Sequence, residues 1–197
     1  MDEIDNAIQE LNDQYIKGQI LLERLQSGCS LLEMAQTQWE EEEIHVEIIP
    51  LSNVLFSRRI KKDYKNSDVS VDRWTELLEM VSRYQLKATG SVILTYHNKP
   101  LEQFYQGDCD LEVSVQVNEK IDVPEAKEFG GFTAVTVLHI GRNEEIIQTH
   151  IKAIRRLNQQ GYTIVGPISE EYIISPLDVK DEENHITKVI IPVQKID

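Results

Sequence analysis

Two stretches of the chain keep the same distances between the same landmarks. Gly90 precedes Tyr96 by six residues, and Gly166 precedes Tyr172 by six. Tyr96 precedes Val117 by twenty-one, and Tyr172 precedes Val193 by twenty-one. The matched segments are Gly-Ser-Val-Ile-Leu-Thr-Tyr and Gly-Pro-Ile-Ser-Glu-Glu-Tyr, then Glu-Val-Ser-Val-Gln-Val and Lys-Val-Ile-Ile-Pro-Val. Internal self-similarity of this kind constrains the architecture more than any single motif. It predicts an α+β fold built from two copies of a strand–helix–strand–strand unit. Each copy alone leaves one sheet face uncovered, so the two are expected to dock around a shared core.

The local patterns agree with that plan. Period-two alternation marks strands at 44–48 and 54–60, joined through the turn at 50–53 as a hairpin. Ser70 or Asp72 caps a helix reaching Tyr84, with Trp74, Leu77, Leu78, Val81 and Tyr84 at helical spacing. Strands follow at 92–97 and 111–117. The second half opens with a strand at 132–140 and a turn at Gly141. A helix over 144–159 carries Ile147, Ile151, Ile154 and Leu157 on one face, and Gly161 ends it. Strands at 168–174 and 187–193 complete the unit.

Residues 1–43 follow a different rule. Ile4, Ile8, Leu11, Tyr15, Gly18, Leu22 and Leu25 repeat at alternating spacings of four and three, an a/d seam on a long helix. So narrow a stripe on an otherwise polar helix needs a partner. The expected partner is a second copy of the chain, with Ile4, Ile8, Leu11, Tyr15, Leu22 and Leu25 as dimerisation residues. A helix folded back on its own domain is the alternative. The expected division is therefore a helical dimerisation segment and linker over 1–43 and a folded domain over 44–197.

Charge limits the partners. Thirty-four acidic residues against twenty basic ones give a net charge of −14. Phosphate binding needs a basic footprint, so binding of nucleic acid or an anionic membrane by this chain alone is not expected. No apolar run is long enough to span a bilayer. Cys29 and Cys109 make no disulfide framework and are read as reduced thiols of a cytoplasmic protein. His45, His97, His150 and His185 show no metal spacing, and His139, which shares a strand face with Val135 and Val137, reads as a hydrogen-bonded core residue. No P-loop, Gly-x-Ser-x-Gly or Gly-x-Gly-x-x-Gly occurs. No cofactor, metal site or catalytic residue is expected, and an enzyme is the less favoured class.

One residue breaks the pattern. On the strand over 168–174, alternation puts Ile168, Glu170, Tyr172 and Ile174 on one face. The matching strand puts Val92, Leu94 and Tyr96 there, so Glu170 stands where the first copy has Leu94. An unpaired buried carboxylate costs several kcal/mol. It persists with a partner, with a shifted pKa, or as the counter-charge of a cation, with ring faces adding about 0.5–2 kcal/mol each. An edge strand with a solvated Glu170, or a bulge that turns Glu171 inward, are the other readings. The candidate ligand-binding set is Glu170, Tyr172 and Tyr96, with Phe56 and Tyr64 as outer contacts. Phe56 shares its strand face with Val54 and Arg58.

The order His139-Ile140-Gly141, Glu144, the helix to Leu157, Gly161-Tyr162, Gly166-Pro167-Ile168-Ser169-Glu170-Glu171-Tyr172, Pro176 and Thr187 to Val193 resembles the C-terminal half of a GyrI-like effector-binding domain. That domain follows the DNA-binding region in many bacterial MerR-family regulators and also occurs alone. Val54 to Arg59 and Tyr64 resemble its first half more loosely, so the resemblance spans about 44–193. It implies a pseudo-two-fold antiparallel sheet with helices on one face and a groove that takes a ligand, often an organic cation. The glutamate of the family's Glu-x-Tyr strand corresponds to Glu170 and the tyrosine to Tyr172. Asn143 departs from the pattern, standing where members often carry a tyrosine. The resemblance also implies that the N-terminal helix is the dimerisation helix of such regulators, paired antiparallel. The expected function is a small-molecule sensing domain of a transcription regulator, of the multidrug-sensing kind, for an aromatic or cationic effector. A stand-alone hydrolase using Glu170 to activate water, and a gyrase-inhibitor-like protein-binding module, are the alternatives.

Overall fold

A computed structural model describes residues 44–64, 71–105, 107–176 and 178–196. The heptad seam from Ile4 to Leu25, Cys29 and the cap residue Ser70 lie outside the described residues.

Among the described residues, nine strands and two α-helices are formed. They run β1 (His45–Ile48), β2 (Ser52–Tyr64), α1 (Val71–Arg83), β3 (Ala88–Tyr96), β4 (Gly107–Val117), β5 (Ala126–Phe129), β6 (Thr133–Ile140), α2 (Ile146–Gln159), β7 (Tyr162–Ile164), β8 (Ile168–Ile174) and β9 (Ile186–Lys195). The sheet order is β1-β6-β9-β8-β3-β4-β2-β5, with β7 pairing β9. All strand pairings among the described residues are antiparallel.

The first expected hairpin does not form. β1 pairs β6, and β2 pairs β4 and β5. Alternation fixes which face a side chain takes, but it does not choose a strand's partner. Only residues 49–51 link β1 to β2, although six strand spacings separate these strands along the sheet. Strands lie about 4.8 Å apart, so a flat sheet would put them roughly 29 Å apart. The link reaches at most about 14 Å. Residues 130–132, between β5 and β6, face the same shortfall. The sheet must therefore curl until its ends approach. The two links run together where they cross: Ile49 donates to the Phe132 carbonyl at 3.0 Å, and Gly131 donates to the Ile49 carbonyl at 2.8 Å. Gly130 has φ +103°, and a Cβ there would lie 2.0 Å from the Pro50 carbonyl oxygen, so a side chain is excluded from the crossing.

Curling gives the sheet an inside and an outside. Inside, Val54, Ile93, Ala134 and Ile190 from four strands meet Ile49, Phe129 and Phe132 in one cluster. Small hydroxyl side chains fill the tight centre: Ser114, Thr95, Ser169 and Thr136 are buried. The outer face carries both helices. Trp74, Leu77, Met80 and Val81 of α1 pack with Leu55, Val92, Leu94, Leu111, Val113 and Tyr172. Ile146, Ala153 and Leu157 of α2 pack with Val135, Val137, Ile168, Val189 and Ile191.

Both helices turn slightly differently from their apolar periodicity. Leu78 is 39% exposed and Met80 takes its place against the sheet. On α2 the fully buried stripe is Ile146, His150, Ala153 and Leu157 rather than one centred on Ile147 and Ile151. Leu157 has no exposed surface. Leu157→Ala is expected to lower unfolding free energy by about 2–5 kcal/mol, read from the urea midpoint at unchanged m-value. A loss under about 1 kcal/mol would mean that α2 is not anchored there.

Candidate ligand site

A single row crosses the outer face of the sheet through registered pairs: Ser57, Val113, Leu94, Glu170, Val189 and Val137. Glu170 is its only charged member, and its side chain has no exposed surface. Glu171, the neighbour on the strand, takes the opposite face, where it pairs across to Ile93. Neither the edge-strand nor the bulge reading of this strand applies. β8 is central, flanked by β3 and β9.

Three elements supply partners to this carboxylate. The Tyr96 hydroxyl on β3 donates to Oε2 at 2.9 Å, and the Tyr172 hydroxyl on β8 donates to the same oxygen at 3.3 Å. From α2, His150 Nε2 lies 2.9 Å from Oε1. Hydrogen bonds to a charged group are worth about 1.5–3 kcal/mol each, which offsets the cost of desolvating the carboxylate. A second shell continues the chain. Tyr64 and Tyr96 hydroxyls are 3.4 Å apart. Tyr96 commits its proton to Glu170, so Tyr64 is the donor. Asn143 Nδ2 donates to the Tyr172 hydroxyl at 3.4 Å.

Aromatic rings close the cluster. Trp74 of α1 meets Tyr172 edge-on at 5.6 Å between centroids, and Phe104 meets His150 edge-on at 5.1 Å. Tyr64 and Tyr96 rings lie 6.2 Å apart, tilted. Burial pushes the Tyr96 and Tyr172 phenols well above the usual range, and the charge of Glu170 pushes the same way. Burial pushes the Cys109 thiol up to about 11, so it is no thiolate nucleophile at neutral pH. Burial pushes His139 down. Its Nε2 lies 2.9 Å from the Arg142 carbonyl, which only accepts, and its Nδ1 lies 2.9 Å from Thr149 Oγ1. Nε2 therefore carries the proton and Thr149 donates to Nδ1, the structural role expected of His139.

Of the five candidate residues, four are brought together: Glu170, Tyr172, Tyr96 and Tyr64. Phe56 is not. It pairs with Ser114 on the inner face of the sheet, with the Lys127 ammonium 5.0 Å from its ring centroid. It borders a separate cleft of about 350 Å³ with Arg58, Met80, Arg83 and Pro124. Its strand parity with Val54 already separates it from Leu55, which faces α1. Two hydrogen-bonding members of the cluster, His150 and Asn143, and two of its rings, Trp74 and Phe104, have no place in the candidate set. The signal for His150 was its position: it falls on the stripe 146, 150, 153, 157, where a polar residue needs a buried partner.

The sequence from 43 to 194 matches the model of the GyrI-like small molecule binding domain. The chain belongs to the GyrI-like family. No curated protein matches it in sequence. Among solved structures, this GyrI-like chain is similar to the C-terminal domain of EcmrR, with a TM-score of 0.64 at 21% identity over 78% of this chain and 98% of that one. EcmrR in a complex with DNA matches with a TM-score of 0.64 at 20% identity, over 98% of this chain and 72% of that one. A hydrolase from Listeria innocua matches with a TM-score of 0.57 at 12% identity, over 82% of this chain and 97% of that one. At such identities the likeness establishes the fold and leaves the activity to the site. Among the described residues, no helix is long and apolar enough to cross a membrane, and no three His, Cys, Asp or Glu side chains gather as a metal site requires.

The cluster makes a prediction about alkaline pH. In the unfolded chain Tyr96 and Tyr172 lose their protons near pH 10, while the native phenols hold theirs. Stability is thus intact below pH 10 and falls as pH rises past it. Ultraviolet titration should show two of the seven tyrosines ionising only with unfolding. Ionisation of both in the native state would contradict the burial described here.

Proposed function

We propose that this chain is the small-molecule sensing domain of a bacterial transcription regulator of the MerR type, and that its effector is an aromatic organic cation held at Glu170. The observation that carries this is a fully buried carboxylate surrounded by Tyr64, Tyr96, Tyr172 and Trp74. A charge in low dielectric and ring faces around it are the two features that compensate a cation for lost water. The family's description as a small-molecule-binding domain and the fold shared with the EcmrR C-terminal domain support the reading.

The same reading treats β2-α1-β3-β4 and β6-α2-β8-β9 as two copies of one unit with the ligand between them. Sheet order runs alike from either end, and the matched residues Leu94 and Glu170 face each other across the central pair. Tyr96 opposes Ile168 as Tyr172 opposes Val92. The occupant would lie between α1, which contributes Trp74, and α2, which contributes His150. Because Glu170 is sealed, entry requires one helix to shift from the sheet. A ligand that binds only the opened arrangement shifts the population toward it. The dimer through Ile4, Ile8, Leu11, Tyr15, Leu22 and Leu25 would pass that shift to an attached DNA-binding region; EcmrR itself is known in a complex with DNA.

The hydrolase reading, to which the Listeria protein gives a precedent of fold, needs a water activated by Glu170. Both of its oxygens are engaged by Tyr96, Tyr172 and His150, so that reading is less favoured.

Glu170→Gln keeps the shape and most hydrogen bonding but removes the charge. Affinity for N-benzylquinolinium, a permanently charged aromatic cation, should fall about 10- to 150-fold, equivalent to about 1.5–3 kcal/mol. Affinity for the neutral isostere benzylnaphthalene should hold. Calorimetric titrations giving the two proteins equal affinity for the cation would refute the counter-charge role.

A further inference from the structure

Glu170 already has a neighbour capable of positive charge. His150 is fully buried, and its Nε2 lies 2.9 Å from Glu170 Oε1. Its Nδ1 has no hydrogen-bond partner among the described residues, and Phe104 covers the ring. An apolar residue would pack α2 against the sheet without leaving a buried nitrogen unpaired, so packing does not account for the imidazole.

We infer that His150 is the internal counter-ion of Glu170, and that an organic cation binding there expels one proton from the pair. This rests on the reading of Glu170 as the ligand's counter-charge. Carboxylate and imidazole hold one proton between them. It lies either on the imidazole, as an ion pair, or on the carboxyl, as a neutral pair. Both arrangements contain the same number of protons and carry no net charge. Removing the proton leaves a net negative charge in an apolar interior. Keeping it while a cation enters leaves a net positive one, with two cationic groups competing for one carboxylate. The arrangement that stays neutral in both states exchanges one cation for the other.

The surrounding groups leave this task to His150. From β2, Tyr64 faces the cluster, and from β3 and β8, Tyr96 and Tyr172. Burial keeps the Tyr96 and Tyr172 phenols protonated. From β4, the Cys109 thiol is held protonated by burial. From β6, His139 is pushed toward its neutral form by burial, and its nitrogens are engaged by the Arg142 carbonyl and Thr149. From α1, Arg73 donates to the Leu111 carbonyl at 3.4 Å, and its charge acts on Tyr64 and Cys109. Glu145, at the start of α2, acts on His139. Among the described residues, His150 alone brings a protonatable nitrogen within hydrogen-bond distance of Glu170.

The exchange makes His150 a specificity-determining residue. A ligand with a permanent charge gains affinity as pH rises, close to tenfold per pH unit wherever the pair holds its proton before binding and releases it fully. A neutral ligand of the same shape releases nothing and shows no such slope. The experiment is calorimetric titration of the full chain with N-benzylquinolinium at one pH in two buffers of different ionisation enthalpy. The difference in observed heat counts protons. The expected count is close to one released per cation bound, and close to zero for benzylnaphthalene. His150→Gln, which retains an N–H donor toward Glu170, should bind the cation with a count near zero and a flat pH profile. A count near zero in the unaltered protein, while Glu170→Gln still weakens cation binding, overturns this inference and spares the counter-charge reading. Cation affinity that Glu170→Gln leaves unchanged overturns both. The proton count of the unaltered protein decides the matter even if His150→Gln fails to fold.

Discussion

A carboxylate in the middle of a sheet, under two helices, must be answered by donors, and those donors come from separate parts of the chain. Tyr96 reaches Glu170 from β3, Tyr172 from two residues along β8, and His150 from α2. No local segment assembles this set. It exists only when β3 and β8 lie side by side in register and α2 is seated on the outer face. The cluster therefore reports whether the two halves are correctly docked. Its hydrogen bonds are worth more in the dry interior than at the surface, and each one left unmade costs correspondingly more. Burying a charge adds little to stability compared with an apolar core of the same shape. The proposed counter-charge role would account for its place at the centre of a small-molecule-binding domain.

Topology sets where this carboxylate can be. Short links join strands that are far apart in sheet order, so the sheet curls, and the curl divides the polar residues between two environments. Inside the curve, Ser, Thr and Ala fit the tight radius, with Phe129 and Phe132 edge-on at 5.7 Å filling the open end. Outside, larger side chains spread under α1 and α2, and there the tyrosines find room around Glu170. The buried hydroxyl side chains Ser114, Thr95, Ser169 and Thr136 at the inner centre suit the tight radius there.

Much of this was readable before any coordinates. Strand alternation put Glu170, Tyr172 and Tyr96 on one face, and the repeated spacings aligned Glu170 with Leu94, its actual cross-strand neighbour. The strand Ile168–Ile174 falls where the pattern placed it. The parts that escaped are those that depend on long-range choice. Alternation is the same whether a strand pairs with its neighbour in sequence or with one across the fold, so it predicts a 44–60 hairpin that does not form. Helical periodicity locates an apolar face only to within one position, so Leu78 and Met80 exchanged roles. A histidine on an apolar stripe carries no mark of its partner twenty residues on, so periodicity does not single out His150. Phe56 enters the candidate set by residue type, against its own strand parity with Val54.

If a ligand enters as proposed, by α1 lifting from the sheet, the edge-on contact between Trp74 and Tyr172 acts as a latch over the carboxylate, with a cost in sensitivity. If the opened arrangement is occupied about 1% of the time, the apparent dissociation constant is about a hundredfold weaker than that of the open site itself. The firmness of one aromatic contact then fixes the concentration at which a sensor responds. Residues such as Leu77 and Met80, on the buried face of α1 and without a hydrogen bond to the carboxylate, become the natural place to retune that threshold.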